Sequence, residues 1–270
     1  MKKVAIIGIG NIGSILAKRI CLAVLPSELV IYDHNPEKME RIAAETGCVM
    51  AEDATGAAEG ADYIFLAVKP QAFSHLLQSI LPTLHAGQCI VSTAAGVELK
   101  SIEALIAHGN ACIPAVRIMP NLPINIGKGC VLISKSEQVT EEQEQVLLQI
   151  LSHCGICRAV DEEHFDMGVS LNSCTPAYVF MFLEALADGG VALGYSRKES
   201  EIIAARAVEG AVSLFLETSQ SLGELKDAVC SPQGAAINGV AVLEKGKFRA
   251  SIINAVEKAF QKNESMKYEL

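Results

Sequence analysis

The chain has 270 residues, half of them hydrophobic and a fifth charged, with no Trp; this is an ordinary globular composition with room for two domains. Its net charge of −9, with no Lys/Arg cluster to offset it, argues against a nucleic-acid-binding surface. The long stretches free of Asp, Glu, Lys and Arg, residues 70–97 and 167–183, are broken by His, Gln, Asn and Pro, so neither reads as a membrane span.

The chain starts MKKVAIIGIGNIG. Its apolar run breaks at Gly8 and Gly10 without a small-residue cleavage pattern, so it reads as a first strand, not a secretion signal, and a cytoplasmic location is expected. GIGNIG, Gly8 to Gly13, is a G-x-G-x-x-G between that strand and a helix opening near Asn11. In this setting Gly8 allows the tight turn, Gly10 the approach of a pyrophosphate, and Gly13 close helix–strand packing. The second strand ends VIYDHN, placing Asp33 where a carboxylate meets the adenosine ribose of a dinucleotide. A carboxylate there accepts from the 2′-OH of NAD and repels the 2′-phosphate of NADP. NADH is therefore modestly favoured, with nearby Lys38 a complication.

Onward to about residue 160, the runs ADYIFLAVKP, QCIVSTAAG, AVRIMPN and GCVLIS continue the strand series. Helical segments 13–21, 37–45 and 71–84 lie among them. Near-continuous apolar strands alternating with helices predict a doubly wound α/β domain, with a parallel sheet covered on both faces, over 1–160. From 161 to 270 the strand signal vanishes, and 176–193, 198–217, 222–229 and 248–262 read as helices. AYVFMFLEAL, 177–186, is apolar nearly all round, which predicts burial on every side and, in so small a helical domain, a dimer interface. Ser231-Pro232 has the form of a helix start, followed by the side-chain-poor Gly234, Ala235 and Ala236. Such a bare N-terminus suits close packing or a small anion on free N–H groups.

The nine cysteines, at 21, 48, 89, 112, 130, 154, 157, 174 and 230, are odd in number and come without a secretion signal. They read as reduced, small core residues. CGIC at 154–157 has redox or zinc spacing but lacks a second pair, and the six His are dispersed, so no metal site is expected.

At LAVKPQ (66–71), STAAG (92–96) and RIMPNLP (117–123) the chain begins to resemble the pyrroline-5-carboxylate reductase family. The likeness continues through DEEHFDMGVSLNSCTPAYVF (161–180), LADGGVALGYSRKES (186–200) and LKDAVCSPQGAAINGVAVLEKGKFR (225–249). That family reduces the C=N bond of a cyclic imino acid to make L-proline, taking hydride from NAD(P)H. The resemblance implies a Rossmann domain, then an α-helical substrate and dimerisation domain that forms a homodimer, with higher assembly left open.

It also implies a cofactor site built from Gly8, Gly10, Asn11, Ile12, Gly13, Asp33 and His34. Ala67, Val68, Lys69, Pro70, Ala94 and Ala95 would line the nicotinamide side. Asn121 either orients the cofactor or stabilises a turn. The substrate carboxylate would sit on the N–H groups of Gly234, Ala235 and Ala236.

The chain departs from the family in this loop. Ala236 stands where members keep a Thr thought to hydrogen-bond the imine nitrogen or a proton-delivering water. Ala228 replaces an Asn, and Gln233 a Gly. Asn238, Thr175, Ser231 or a water would have to replace the missing hydroxyl. Two alternatives stand beside a reductase of pyrroline-5-carboxylate: a paralogue for another cyclic imino acid, and a dinucleotide-binding regulator with little turnover. A β-hydroxyacid dehydrogenase is disfavoured, because 162–197 contains no Lys to serve as its proton relay.

Overall fold

A computed structural model describes residues 3–107 and 113–268; Cys112, read above with the other cysteines, lies outside them. The chain divides into two compact units, Met1–Ser173 with Ala259–Leu270, and Cys174–Lys258.

Among the described residues the first unit holds eight strands: β1 (Val4–Ile7), β2 (Leu29–Tyr32), β3 (Val49–Met50), β4 (Tyr63–Leu66), β5 (Cys89–Ser92), β6 (Ala115–Pro120), β7 (Gly129–Lys135) and β8 (Gly155–Ala159). They form one sheet in the order β3-β2-β1-β4-β5-β6-β7-β8. The central strands are buried along their whole length, as apolar strands of a doubly wound sheet must be. The parallel expectation holds except between β6 and β7, which pair antiparallel. Their connection, 121–128, is mostly a 3-10 turn, Leu122–Ile126, too short for the crossover that parallel neighbours need.

Among the described residues six helices accompany the sheet: α1 (Asn11–Ile20), α2 (Pro36–Thr46), α3 (Ala54–Ala58), α4 (Pro70–Ile80), α5 (Leu99–Ala107) and α6 (Glu141–Ile150). Leu16, Ile20, Ile42 and Leu147 join one core, and Phe73, Leu77, Ile80 and Ile102 join the other. Alternate residues of β1 divide between them, Val4 and Ile6 in the first, Ala5 and Ile7 in the second. The sheet is thus covered on both faces.

Among the described residues every element after β8 is a helix: α7 (Glu162–Ala192), α8 (Arg197–Glu217), α9 (Leu222–Val229), α10 (Ala235–Lys245) and α11 (Phe248–Glu264). Two helix starts differ from expectation. Helix α7 begins at Glu162, well before 176, and carries Pro176 inside it. Proline cannot donate to the carbonyl four residues back. That carbonyl, on Asn172, accepts instead from Asn121 Nδ2 at 3.4 Å. Helix α10 begins at Ala235 with Gly234 as its N-cap, not at Ser231-Pro232, and no side chain caps it. Gln233 holds a left-handed φ of 61°, so the helix cannot run back through it. Segment 177–186 is not buried within the chain: Phe180 and Met181 are 59% and 72% exposed.

Among the described residues Arg117 on β6 is the largest fully buried side chain. Its guanidinium pairs with Glu162 and, at 3.0 Å, with Asp166, both on α7. It also lies 4.3 Å from the ring centroid of Phe165, a cation–π contact. This ties the first turns of α7 to the sheet. No helix among the described residues is long and apolar enough to cross a membrane.

CGIC straddles a 3-10 turn, Ser152–Cys154, and the start of β8. Burial, with the neighbouring Cys157, pushes the Cys154 thiol up to about 12; burial, with Cys130, pushes Cys157 to about 11. Both stand as free thiols.

Candidate active site

Order β3-β2-β1-β4-β5 reverses direction between β1 and β4, and ligands of open α/β sheets bind outside the carboxyl ends of the strands at such a point. A cleft of about 640 Å³ opens there, in the first unit. Gly8 and Gly10 line it from the turn after β1, Asp33 and His34 from the end of β2, and Ala67, Val68 and Lys69 from the end of β4.

The three glycines have three different surroundings. Gly8 has φ +102° and lies so close to the Ala67 backbone that a Cβ would sit 2.5 Å from its carbonyl oxygen. A Cβ on Gly13 would collide with the Gly8 carbonyl, so α1 starts directly against the turn. Gly10 has no neighbouring atom within 4 Å of such a Cβ. It caps α1, whose first turn carries no acidic residue and no side-chain cap. Bare N–H groups beside open space, at the positive end of a helix, fit a pyrophosphate.

Asp33 is 6% exposed. Its Oδ2 accepts from the Ile9 N–H at 2.7 Å and its Oδ1 from the Asn35 N–H at 2.9 Å. His34 Nδ1 lies 3.4 Å and Lys38 Nζ 3.8 Å from Oδ1. The carboxylate therefore holds the glycine turn in place and faces a cation at the rim of the cleft.

Of the expected cofactor residues, Gly8, Gly10, Asp33, His34, Ala67, Val68 and Lys69 come together in this cleft. Asn11, Ile12, Gly13, Pro70, Ala94, Ala95 and Asn121 do not line it. Asn11 and Ile12 belong to the first turn of α1, and Pro70 opens α4 after Lys69. Ala94 is buried, its N–H donating to Ser92 Oγ at 3.2 Å. The Asn121 side chain is committed elsewhere: Nδ2 donates to Asn172 Oδ1 at 2.9 Å, and Oδ1 accepts from the Cys130 N–H at 3.0 Å. Asn172 Nδ2 in turn donates to the carbonyls of Met119 and Cys130. Of the two readings of Asn121, these bonds favour the structural one.

Sequence reasoning missed the wall supplied by α4: Ala72, His75, Leu76 and Ser79 also line the cleft, with Tyr32 and Lys38. Their spacing of three and four residues is the signal that could have found them, because it marks one helix face.

In the second unit, Gly234 fits against Ser231, whose Oγ occupies the place a Cβ would take. Asn238 Nδ2 donates to the Gly234 carbonyl at 2.9 Å, so that amide is already engaged. Thr175 is half-buried on α7. Ala235 and Ala236 form the first turn of α10 with no acidic residue beside them.

Comparisons with known proteins agree with one another. Residues 162–266 match a family model described as pyrroline-5-carboxylate reductase dimerisation, and residues 3–96 one described as NADP oxidoreductase coenzyme F420-dependent. The pyrroline-5-carboxylate reductase of Escherichia coli (strain K12) is 36% identical over 267 residues, 98% of each chain. Pyrroline-5-carboxylate reductase 2 of Homo sapiens is 34% identical, covering 94% of this chain and 80% of its own. A pyrroline-5-carboxylate reductase from Coxiella burnetii superposes with a TM-score of 0.90 at 26% identity, over 99% of both chains. The Plasmodium falciparum pyrroline carboxylate reductase, solved with NADP bound, gives 0.87 at 28% identity over 99% of this chain and 98% of that one. With its sheet order, its helical second unit and relatives matched from end to end, this chain belongs to the pyrroline-5-carboxylate reductase family.

Proposed function

We propose that the chain reduces 1-pyrroline-5-carboxylate to L-proline with hydride from NADH or NADPH. The observation that carries this reading is the glycine turn after β1, closed at Gly8 and Gly13 and open at Gly10, beside a cleft at the sheet's switch point. The dinucleotide supplies the hydride when bound. This chain's part is to hold it: Gly10 and the first N–H groups of α1 receive the pyrophosphate, Asp33 the adenosine ribose, and Ala67 to Pro70 with Ala94 and Ala95 the nicotinamide side. A preference for NADH rests on Asp33; Lys38 at 3.8 Å offsets part of the repulsion of a 2′-phosphate, so the preference is modest.

A protonated imine is already an electrophile, so the protein's work is positioning rather than strong acid–base chemistry. Gly234, Ala235 and Ala236 receive the substrate carboxylate on backbone N–H groups at the positive end of α10. Ser231, Thr175 and Asn238 are the polar side chains proposed to attend the imine nitrogen, directly or through water. Asn238 would do so while its amide stays bonded to the Gly234 carbonyl. Two copies would pair through the C-terminal helices, which expose Phe180, Met181, Leu214 and Leu216. A cytoplasmic setting goes with this reading, since buried Cys48, Cys89 and Cys154 serve as small apolar core residues.

Ala236 favours a second reading, in which a different cyclic imino acid is the substrate. Mixing the purified protein with NADH or NADPH and pyrroline-5-carboxylate, and following nicotinamide absorbance, tests both. Oxidation with pyrroline-5-carboxylate supports the first; oxidation only with another cyclic imine supports the second. Dinucleotide binding without oxidation of any sinks both and leaves a regulatory role.

A further inference from the structure

The end of the chain returns to the first unit and binds the two segments read above as the nicotinamide side. Tyr268 donates its backbone N–H to the Gly96 carbonyl at 3.0 Å, in the loop after β5. Its hydroxyl accepts from Gln71 Nε2 at 2.6 Å, one residue beyond Pro70 in the first turn of α4. Its ring packs on the second core cluster. Tyr268 therefore spans the loops that leave the adjacent, hydrogen-bonded strands β4 and β5.

Further contacts hold this segment in place. Gly96 has φ +73°, and a Cβ on it would sit 2.7 Å from the Met266 carbonyl oxygen, so the loop is moulded against the tail. Lys267 reaches Glu98 at 3.2 Å, Glu264 at 2.9 Å and Asp166 at 3.9 Å. Glu98 is held below the usual carboxylate range, chiefly by Lys100 and then by Lys267.

We propose that Tyr268 is a positioning residue: by tying Gln71 to the Gly96 loop it sets the separation of the two walls that receive the nicotinamide ring. Its two hydrogen bonds go to Gln71 and to the Gly96 carbonyl, both on the side assigned to the nicotinamide. Its effect is therefore confined to the nicotinamide end of the cofactor. The inference rests on the cofactor reading given above.

The test is direct binding of two probes, NADH and ADP-ribose, the second lacking the nicotinamide, to the full chain and to its Tyr268→Phe variant. Tyr268→Phe removes the hydroxyl and leaves the ring and the backbone bond. A single net hydrogen bond of this kind is worth about 2- to 10-fold in an equilibrium, which bounds what its loss costs binding. NADH is expected to bind Tyr268→Phe measurably weaker, by up to that factor, while the dissociation constant of ADP-ribose stays unchanged. Gln71→Met, which removes the other partner, is expected to give the same selective loss, and the double variant no further loss.

Equal weakening of both probes, or no weakening of NADH, overturns the proposal while leaving the cofactor reading intact. Failure of the unaltered protein to bind either probe overturns the cofactor reading and this inference together.

Discussion

The Asp33 carboxylate accepts a 2.7 Å hydrogen bond from the backbone N–H of Ile9, 24 residues earlier, inside the turn that joins β1 to α1. The acid read from the sequence as a ribose ligand is also the brace of the glycine turn. Asp33→Ala is expected to lower the unfolding free energy by about 1–3 kcal/mol, since the Ile9 N–H and, with it, the Asn35 N–H lose their acceptor. It should also weaken NADH and NADPH together, because the turn itself loosens. Urea titration and dinucleotide binding check the two effects; a swap of cofactor preference at unchanged stability would contradict the brace.

Ala236→Thr should raise turnover with pyrroline-5-carboxylate, provided the inserted hydroxyl takes the part that the family resemblance assigns to it. One well-placed hydrogen-bonding group is worth up to about 10²–10³-fold in rate. Steady-state kinetics give the answer, and a loss of activity would favour another substrate.

Arg117→Met should be costly. It leaves Glu162 and Asp166 without their shared cation, and breaking a buried pair costs about 3–5 kcal/mol. Glu162 has a third of its side chain exposed and Asp166 keeps Lys267 at 3.9 Å, so about 3 kcal/mol is expected. Equilibrium urea unfolding measures it.

Burial holds the thiols of Cys89 and Cys154 up at about 12, against an ordinary value of 9.0. In the folded chain they should stay silent to a thiol reagent at pH 8 and react once the chain is unfolded. Because their folded values are raised, their contribution to stability is complete below pH 9 and is lost as pH rises toward 12. The urea midpoint should therefore fall across that alkaline window, and Cys89→Ala should reduce the fall.

Met181 and Leu216 are 72% and 73% exposed on α7 and α8, an arrangement that suits a subunit interface. Met181→Glu and Leu216→Glu are expected to yield monomers by light scattering while the far-ultraviolet helix signal is kept. Unchanged mass for both would count against the proposed pairing through these helices.

The central strands and the glycine turn were readable because each residue there obeys a local rule: apolar runs of strand length, and glycine where the backbone turns or packs closely. What escaped was set by partners far along the chain. Helix α7 could not be extended back to Glu162 by pattern alone, since Gly168, Asn172 and Pro176 are poor helix residues. What helps retain it is Arg117 on its first turns and Asn121 on the carbonyl that Pro176 leaves without a partner. Strand β8 is half-exposed at the sheet edge and carries Arg158 between Cys157 and Ala159, so no apolar run announced it. At Ser231-Pro232 the capping rule pointed to a helix, but the left-handed Gln233 postponed it to Ala235. The α4 wall of the cleft was hidden for another reason. The helix itself was read over 71–84, but which of its faces meets the cleft depends on the ends of β1, β2 and β4 that the sheet brings beside it.

The unequal clearances around the three glycines separate what the fold demands from what a ligand demands. Gly8 and Gly13 are forced by the protein's own atoms, so a descendant that abandoned its cofactor would have to keep them to stay folded. Gly10, with open space around it, is under no such compulsion. In a lineage drifting away from dinucleotide use, Gly10 is the position expected to change first. A search of sequence variants for loss of function therefore has its clearest marker there, in a substitution that leaves the fold untouched.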